Sequence, residues 1–347
     1  MKLLESYLLG RWDHKGTDDE VPPYKALDSS RSEIIEGLLA CSLVTDIAIR
    51  EANDEGAASQ SEYLMLHNSP LEWHDLPIVR KCHESALRVL INLSHDNETW
   101  SSALLDNELT VPTVVRFIVS SHSQIAGTGP YEDKIHVSDR LCLALGLLTN
   151  LVQADERAKD LVRETRTSDD PVMFCTEVDD LTVFSRTCPE KRSCIQSCHC
   201  SNRATALSSL LSIFLDHRIN QSKSEADDAD HEMEPIIQGH TAVLFGLLMR
   251  DNLQNQTSIL DLLPGDTNKQ KLGILVDTAR EFVEFYGEVM ARLARGRKGG
   301  DAIGESQATE TEEEENDHVD EGSIVDDGGE KTARDVVAFL ELLSDST

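Results

Sequence analysis

The stretch ALRVLINLSHDNETW, residues 86–100, joins an apolar helical pattern directly to a polar corner. The apolar positions that lead into and through it step by three and four, which is the spacing of one buried stripe on an α-helix; they are Val79, Cys82, Ala86, Val89, Leu90 and Leu93. The pattern stops at His95-Asp96-Asn97-Glu98, and Trp100 follows. The sequence therefore predicts a buried helix that ends abruptly at this corner.

Three later stretches repeat this design. They are CLALGLLTNLVQADE at 142–156, ALSSLLSIFLDH at 206–217 and TAVLFGLLMRDN at 241–252. Their starts lie 56, 64 and 35 residues apart, so the period is irregular. A helical unit that cannot bury its own apolar face must stack on its neighbours. We therefore predict an all-α fold, a HEAT- or armadillo-like helical repeat solenoid with irregular insertions.

The remaining helices follow from the same spacing. We predict helices at 32–53, 77–94, 111–121, 137–153, 155–164, 202–220, 235–251, 258–263, 269–293 and 332–343. Residues 111–121 are rich in β-branched side chains, but a lone strand would have no partner, so helix is favoured. Residues 122–133, with two glycines and a proline, are expected to form a loop.

Composition divides the chain into a repeat domain and a short tail. We expect a repeat domain over 1–295, interrupted by an insert at 165–201 and an acidic loop at 221–234. Residues 296–331 are rich in glycine and acids, so a disordered linker is predicted there. The apolar stripe within 332–347 predicts a closing helix that docks on the repeat domain.

The charge of the chain favours protein partners over nucleic acid. The formal net charge is −31, and twelve acids with no Lys or Arg lie in 305–330. Neutralising phosphates needs Lys and Arg, so we expect no strong direct nucleic-acid binding. Protein partners with basic patches are expected instead. No apolar run approaches the ~18 residues that cross a bilayer, so no membrane role is expected.

The cysteines permit a metal hypothesis that their spacing weakens. Cys188, Cys194, Cys198 and Cys200 lie close to His199, and together they could bind zinc. Their spacing lacks the paired CxxC that suits tetrahedral zinc. We expect no bound metal and no cofactor. Eight cysteines without an apolar leader indicate a reduced, intracellular protein.

The corner residues are the candidate site. His95, Asp96 and Glu98 could suggest acid–base or metal chemistry, but no nucleophile or orienting partner is apparent. Asp96 or Asn97 would instead cap the next helix. Because the ends of repeat helices carry recognition, we predict that His95, Asp96, Asn97, Glu98 and Trp100 bind protein. No phosphate-loop, GxSxG or HExxH motif occurs, so no catalytic residue is proposed.

Two asparagines on the repeated helices receive a structural interpretation. Asn92 and Asn150 each lie one step from a core leucine. An amide in this position of a helical stack usually donates a hydrogen bond to the backbone of a neighbouring turn.

The stretch ALRVLINLSHDNETWSSAL resembles the C-terminal domain of the wings apart-like family of cohesin release factors. Three further segments resemble the family in order: LCLALGLLTNLVQADERAKDLV, GHTAVLFGLLMRDN and ILDLLPGDTNKQKLGILVDTAREFVEFYGEV. The resemblance spans about 32–289. It implies a nuclear, chromatin-associated HEAT-type domain without enzymatic activity. Expected partners are cohesin subunits, namely the ATPase head and kleisin, and their HEAT-repeat regulators.

Two other functions remain open from the residues alone. An armadillo-like adaptor for transport or signalling, unrelated to cohesin, would have the same pattern. A zinc-dependent hydrolase would need the cysteine cluster.

Overall fold

A computed structural model describes residues 30–54, 76–127, 131–167, 204–223, 234–300 and 327–346 of the chain. These residues form eleven helices: α1 Arg31–Asp54, α2 Leu76–Ser94, α3 Glu98–Asp106, α4 Thr110–Gly127, α5 Tyr131–Ala154, α6 Arg157–Glu164, α7 Ala206–Lys223, α8 Glu234–Met249, α9 Leu253–Leu262, α10 Asn268–Gly300 and α11 Asp327–Ser346. No strand occurs within the described ranges, apart from one isolated bridge. The predicted all-α, repeat-like fold is confirmed.

The chain divides into two compact units, Met1–Pro264 and Gly265–Thr347. In the first unit, two long helices followed by a short one occur three times: α1–α2–α3, α4–α5–α6 and α7–α8–α9. The second long helices form one layer, in which α2 packs on α5 and α5 on α8. The first long helices form the other layer, in which α1 contacts α4 and α4 contacts α7. Each group therefore buries its apolar face on the next, as expected for a repeat.

Helix α5 is the centre of this unit. It packs on α2, α4 and α8, and leucines all along it are wholly buried: Leu141, Leu145, Leu147, Leu148 and Leu151. Burying each such side chain contributes about 1.5–3 kcal/mol to folding.

The apolar character of α5 corrects one expectation from sequence. Lys134–Ala154 is long and apolar enough to cross a membrane by length and composition, so it was wrong to expect no segment of that size. More than half of this stretch is buried inside the protein, and the helices around it account for its hydropathy.

Several helix boundaries also differ from prediction; α5, for example, begins at Tyr131, within the stretch 122–133 that was predicted to be loop, rather than at 137. Helix α4 continues through 122–127, which were predicted to be loop, because its last turns still carry side chains that contact neighbouring helices. Arg140 on α5, for example, donates to the side-chain oxygen of Gln124, Oε1, over 2.8 Å. Helix α9 begins at Leu253 rather than at 258, since Asn252 caps it.

A short antiparallel bridge holds the two ends of the predicted insert together. The Thr167 amide donates to the Ala204 carbonyl over 2.8 Å, and the Ala206 amide donates to the Thr165 carbonyl over 2.9 Å. The bridge joins Arg166 and Thr205. Most of the predicted insert, and most of the predicted acidic loop 221–234, lie outside the described residues.

A buried polar cluster joins the first group of helices to the second. Asp46 on α1 accepts hydrogen bonds from Arg116 Nε at 3.3 Å and Ser120 Oγ at 3.0 Å, both on α4. Beside it, His83 Nδ1 on α2 lies 2.9 Å from the Ser42 carbonyl oxygen, to which it can only donate. His83 is wholly buried, and this burial lowers its pKa to about 4. The imidazole is therefore neutral at neutral pH.

The second unit is an antiparallel pair of helices, α10 and α11. Pro264-Gly265 lies in the chain between the end of α9 at Leu262 and the start of α10 at Asn268. Gly265 has φ +134°, a conformation that L residues rarely adopt. The predicted domain limits at 295 and 331 stay predictions, and residues 301–326 lie outside the described ranges.

Candidate protein-binding site

The first corner is built by one backbone turn and one cap. Asp96 has φ 47°, in the left-handed region that Asp and Asn tolerate best. This turn reverses the chain and places Asn97 directly before α3. The side-chain oxygen of Asn97 accepts a hydrogen bond from the Trp100 backbone amide at 3.3 Å. The predicted capping role is confirmed, with Asn97 as the cap.

The predicted binding residues divide between surface and core. Asp96 and Glu98 are exposed, and three quarters of the Asp96 side chain is accessible. His95 is partly exposed, and its Nε2 lies 3.7 Å from Asp96 Oδ2. Trp100 is wholly buried, with the Arg31 guanidinium 5.4 Å from the centre of an indole ring. The carboxylates of Asp96 and Glu98 are therefore accessible to solvent, while Trp100 is packed beneath the corner.

Neighbouring helices fix the corner in place. Asn150 on α5 donates to the Ile91 carbonyl at 3.4 Å and to Ser94 Oγ at 3.2 Å. Ser101 Oγ donates to the Ser94 carbonyl at 3.1 Å. The structural interpretation of Asn150 is confirmed, and that of Asn92 stays a prediction. Because these hydrogen bonds already hold the turn in one conformation, its carboxylates would lose little conformational entropy on binding a partner.

The repeated stretch 241–252 ends α8 in a third corner with the same backbone as the first, the second corner being the one after α5 at 154–156; Asp251 and Asn252 were not among the predicted site residues. Asp251 has φ 57°, and the Asn252 side chain accepts from the Asn255 amide at 2.9 Å. The signal was present in the sequence, since Asp96-Asn97 and Asp251-Asn252 both follow a long apolar helix. Here the residue in the position of Trp100 is Asn255, which is also wholly buried.

Helix α6 connects the short helices on either side of it. Arg157 donates to Asp106 Oδ1 at 2.9 Å and to Ser102 Oγ at 2.8 Å, both on α3. Lys159 Nζ donates to the Arg250 carbonyl at 2.6 Å, at the end of α8. We call the three short helices α3, α6 and α9, with the turns that precede them, the corner ridge.

Hydrogen bonds along the corner ridge also keep carboxylates charged. The hydrogen bond from Arg157 lowers the pKa of Asp155, and that from Asn252 lowers the pKa of Asp160. Other carboxylates of the corner ridge lie exposed to solvent: Asp96, Glu98, Asp106, Glu156 and Asp251. The corner ridge is thus acidic, which suits a partner with basic side chains.

Two features noted from the sequence fall mostly outside the described part of the chain. They are the cysteine cluster Cys188–Cys200 and the acidic stretch 305–330. Among the residues that the structure describes, no group of three or more His, Cys, Asp or Glu side chains is placed to hold a metal ion. The described cysteines Cys41, Cys82 and Cys142 are free thiols, and burial raises the pKa of Cys142 to about 12.

Comparison with known proteins gives one family. Residues 33–158 match the family described as wings apart-like protein regulation of heterochromatin. The match covers α1 to the start of α6 and includes the first corner. Of the three later segments in which the sequence resembles this family, the one at 141–162 lies almost wholly inside the match, and those at 239–252 and 259–289 lie beyond it. No curated protein matches the chain.

Proposed function

Because residues 33–158 of this chain belong to the wings apart-like family, we propose that it is a non-enzymatic scaffold that regulates cohesin. In this proposal it promotes release of cohesin from chromatin, in the nucleus. It does so by binding cohesin subunits, namely the ATPase head and kleisin, and their HEAT-repeat regulators.

The observation that carries the proposal is the first corner, which lies inside the family match. Its carboxylates are exposed, while the turn beneath them is fixed by Asn97, Asn150 and the buried Trp100. A rigid turn loses little conformational entropy on binding. The chemistry fits recognition, because Asp96 and Glu98 can accept hydrogen bonds from Lys or Arg of a partner.

The test removes the two charges and keeps the turn. Asp96→Asn preserves the left-handed backbone, which Ala would strain, and Glu98→Gln preserves side-chain length. We expect the double variant to bind purified cohesin subunits about tenfold more weakly, since each exposed ion pair contributes up to ~1 kcal/mol. Affinity can be measured by isothermal titration at 50 and 200 mM salt, and the loss should shrink at high salt.

A matched control carries the same change of charge on another helix. Glu281→Gln with Glu284→Gln removes two exposed carboxylates from α10 in the second unit. This control should bind like the parent protein. Equal affinity of all three proteins would refute the corner as a contact. A parent protein that captures no cohesin subunit from nuclear extract would refute the cohesin function and favour an unrelated adaptor.

A further inference from the structure

The side of α1 and α2 that faces away from the next group of helices carries apolar side chains exposed to solvent. Asp46 on α1 accepts hydrogen bonds from α4. Val44 lies two residues earlier, about 200° away around the helix, so it points away from α4; it is 65% exposed. On α2, Cys82 stands in the same relation to Glu84, whose carboxylate lies 3.8 Å from a histidine of α5. Both helices therefore turn an outer side away from the stack.

The two helices run antiparallel, which brings their outer sides into one groove. Arg31, at the start of α1, lies against Trp100, just beyond the end of α2. In the middle of α1, Thr45 Oγ1 lies 3.0 Å from His83 Nδ1 on α2. In this register five residues line the groove along the outer sides, and we call them the outer groove: Cys41, Val44, Ala48, Ile78 and Cys82.

The outer groove is apolar and open. Ile78 is 61% exposed. Residues 37–45, GLLACSLVT, contain no charged side chain. A Cβ added at Gly37 would meet no atom within 4 Å, so the space beside α1 is free. The terminal group of a helical repeat normally presents a polar outer face to water. An apolar one is expected to be covered by another element.

The segment that precedes α1 contains a matching apolar stripe, although it lies outside the described residues. Residues 3–8, LLESYL, place their apolar side chains on one side of a helix. The 22 residues from 9 to 30 can reach roughly 70 Å. Val44 lies only roughly 20 Å along α1 from Arg31. The chain is therefore long enough to bring this stripe to the outer groove. The stripe consists of Leu3, Leu4, Tyr7 and Leu8.

We propose that residues 3–8 form a short amphipathic helix that covers the outer groove and closes this end of the stack. The order of stacking selects this segment over other occupants. Each group of helices packs on the groups that precede and follow it in the sequence. The side of α1 away from α4 is therefore the place of the chain that precedes α1. Small side chains there, such as Cys41 and Ala48, allow a helix to approach closely.

Two thiols report whether the outer groove is covered. Cys41 and Cys82 are free and partly buried, and burial, followed by the nearby Cys82, raises the pKa of Cys41. Their alkylation by N-ethylmaleimide in the full chain can be followed peptide by peptide with mass spectrometry. Leu4→Asp with Leu8→Asp should remove the cap, so both thiols should react at least about fivefold faster. Val44→Asp should have the same effect from the other side of the contact.

Two controls separate loss of the cap from other effects. Lys2→Asp changes the net charge by the same two units as the double variant, but on the polar side of the segment, and should leave both rates unchanged. Cys142 lies within the core helix α5, where burial raises its pKa to about 12. Its slow alkylation should be the same in every variant that stays folded.

Cross-linking of the otherwise unaltered full chain tests the contact directly. With p-benzoylphenylalanine in place of Tyr7, irradiation should join this position to 37–48 or 78–82 of the same chain. Cross-links to other parts of the chain, or to a second copy, would overturn the proposal. Equal alkylation of Cys41 in the parent protein and the Leu4→Asp, Leu8→Asp variant would also overturn it. Should Cys142 become reactive in that variant, the cross-links decide alone.

Discussion

The first and third corners share a backbone and differ in what surrounds it. Each has an Asp in the left-handed conformation followed by an Asn that caps a short helix. At the first corner, the aromatic Trp100 is buried beneath the turn and the carboxylates stay exposed. At the third, the buried residue is Asn255, which donates to the Leu248 carbonyl at 3.0 Å and the Lys159 carbonyl at 3.2 Å.

The difference lies in how the polar groups are used. At the third corner they bond to one another: Arg163 donates to Asn255 Oδ1 at 3.1 Å, and, nearer the surface, Asn252 donates to Asp160 at 3.1 Å. The first corner replaces that network with an indole and leaves Asp96 and Glu98 available to a partner. The same Asp-Asn turn therefore lies over a polar network at one corner and over an indole at the other, depending on the third residue of the short helix; recognition at the first corner is part of the proposed function.

Replacing the indole should have the largest effect on this contrast. Trp100→Ala removes a wholly buried aromatic side chain and leaves a cavity under the first corner. We expect the free energy of unfolding to fall by about 4 kcal/mol, measured by urea denaturation. Trp100→Phe should recover more than half of that loss. A loss below ~1 kcal/mol would show that packing of the indole does not hold the corner.

Acid should weaken the group of helices that carries the first corner. His83 on α2 has a pKa of about 4 when folded, against an ordinary value of 6.5, because it is buried. Only the unfolded chain takes up this proton between pH 6.5 and 4, so stability is lost as pH falls through that window. The shift corresponds to about 3 kcal/mol.

His83→Asn provides the control for the acid effect, because its amide can still donate to the Ser42 carbonyl. Urea denaturation at pH 7.0 and pH 4.5 should give a smaller difference for this variant than for the parent protein. An unchanged difference would assign the acid effect to other groups.

Removing the cap residues should lower the free energy of unfolding least, and by different amounts at the first and third corners. Asn252→Ala removes the cap of α9 and the hydrogen bond to Asp160, so we expect a loss of about 2 kcal/mol. Asn97→Ala removes one cap hydrogen bond, so about 1 kcal/mol is expected. Thermal unfolding of both variants measures the contrast. Equal losses would mean that the polar network around the third corner adds nothing to its cap.

The helices were predictable from sequence to the extent that local signals define them. The stripe from Val79 to Leu93 and the cap at Asn97 decided α2 and the start of α3 correctly. The end of α4 was not predictable, because Gln124 is kept in helix by a partner on α5, Arg140. Such tertiary contacts override the turn-forming tendency of the glycines that follow.

The candidate site was only partly accessible from sequence. The run of polar residues at the corner indicated that Asp96 and Glu98 are exposed. No feature of the neighbouring sequence showed that Trp100 is buried. That depends on α1, whose Arg31 lies against the indole. The role of α6 was equally hidden, since Arg157 and Lys159 reach side chains and carbonyls some 50 and 90 positions away in the chain.

The bridge between Arg166 and Thr205 has a consequence for how this chain can change. Its main-chain hydrogen bonds hold Thr167 beside Ala204, the described residues on either side of the 36 residues from 168 to 203. Because the bridge lies between this stretch and the helices, lengthening, shortening or replacing the stretch leaves the separation and the relative rotation of α6 and α7 unchanged. This position can therefore accept an additional domain in evolution, or a fluorescent reporter in an experiment, without changing how α6 and α7 pack.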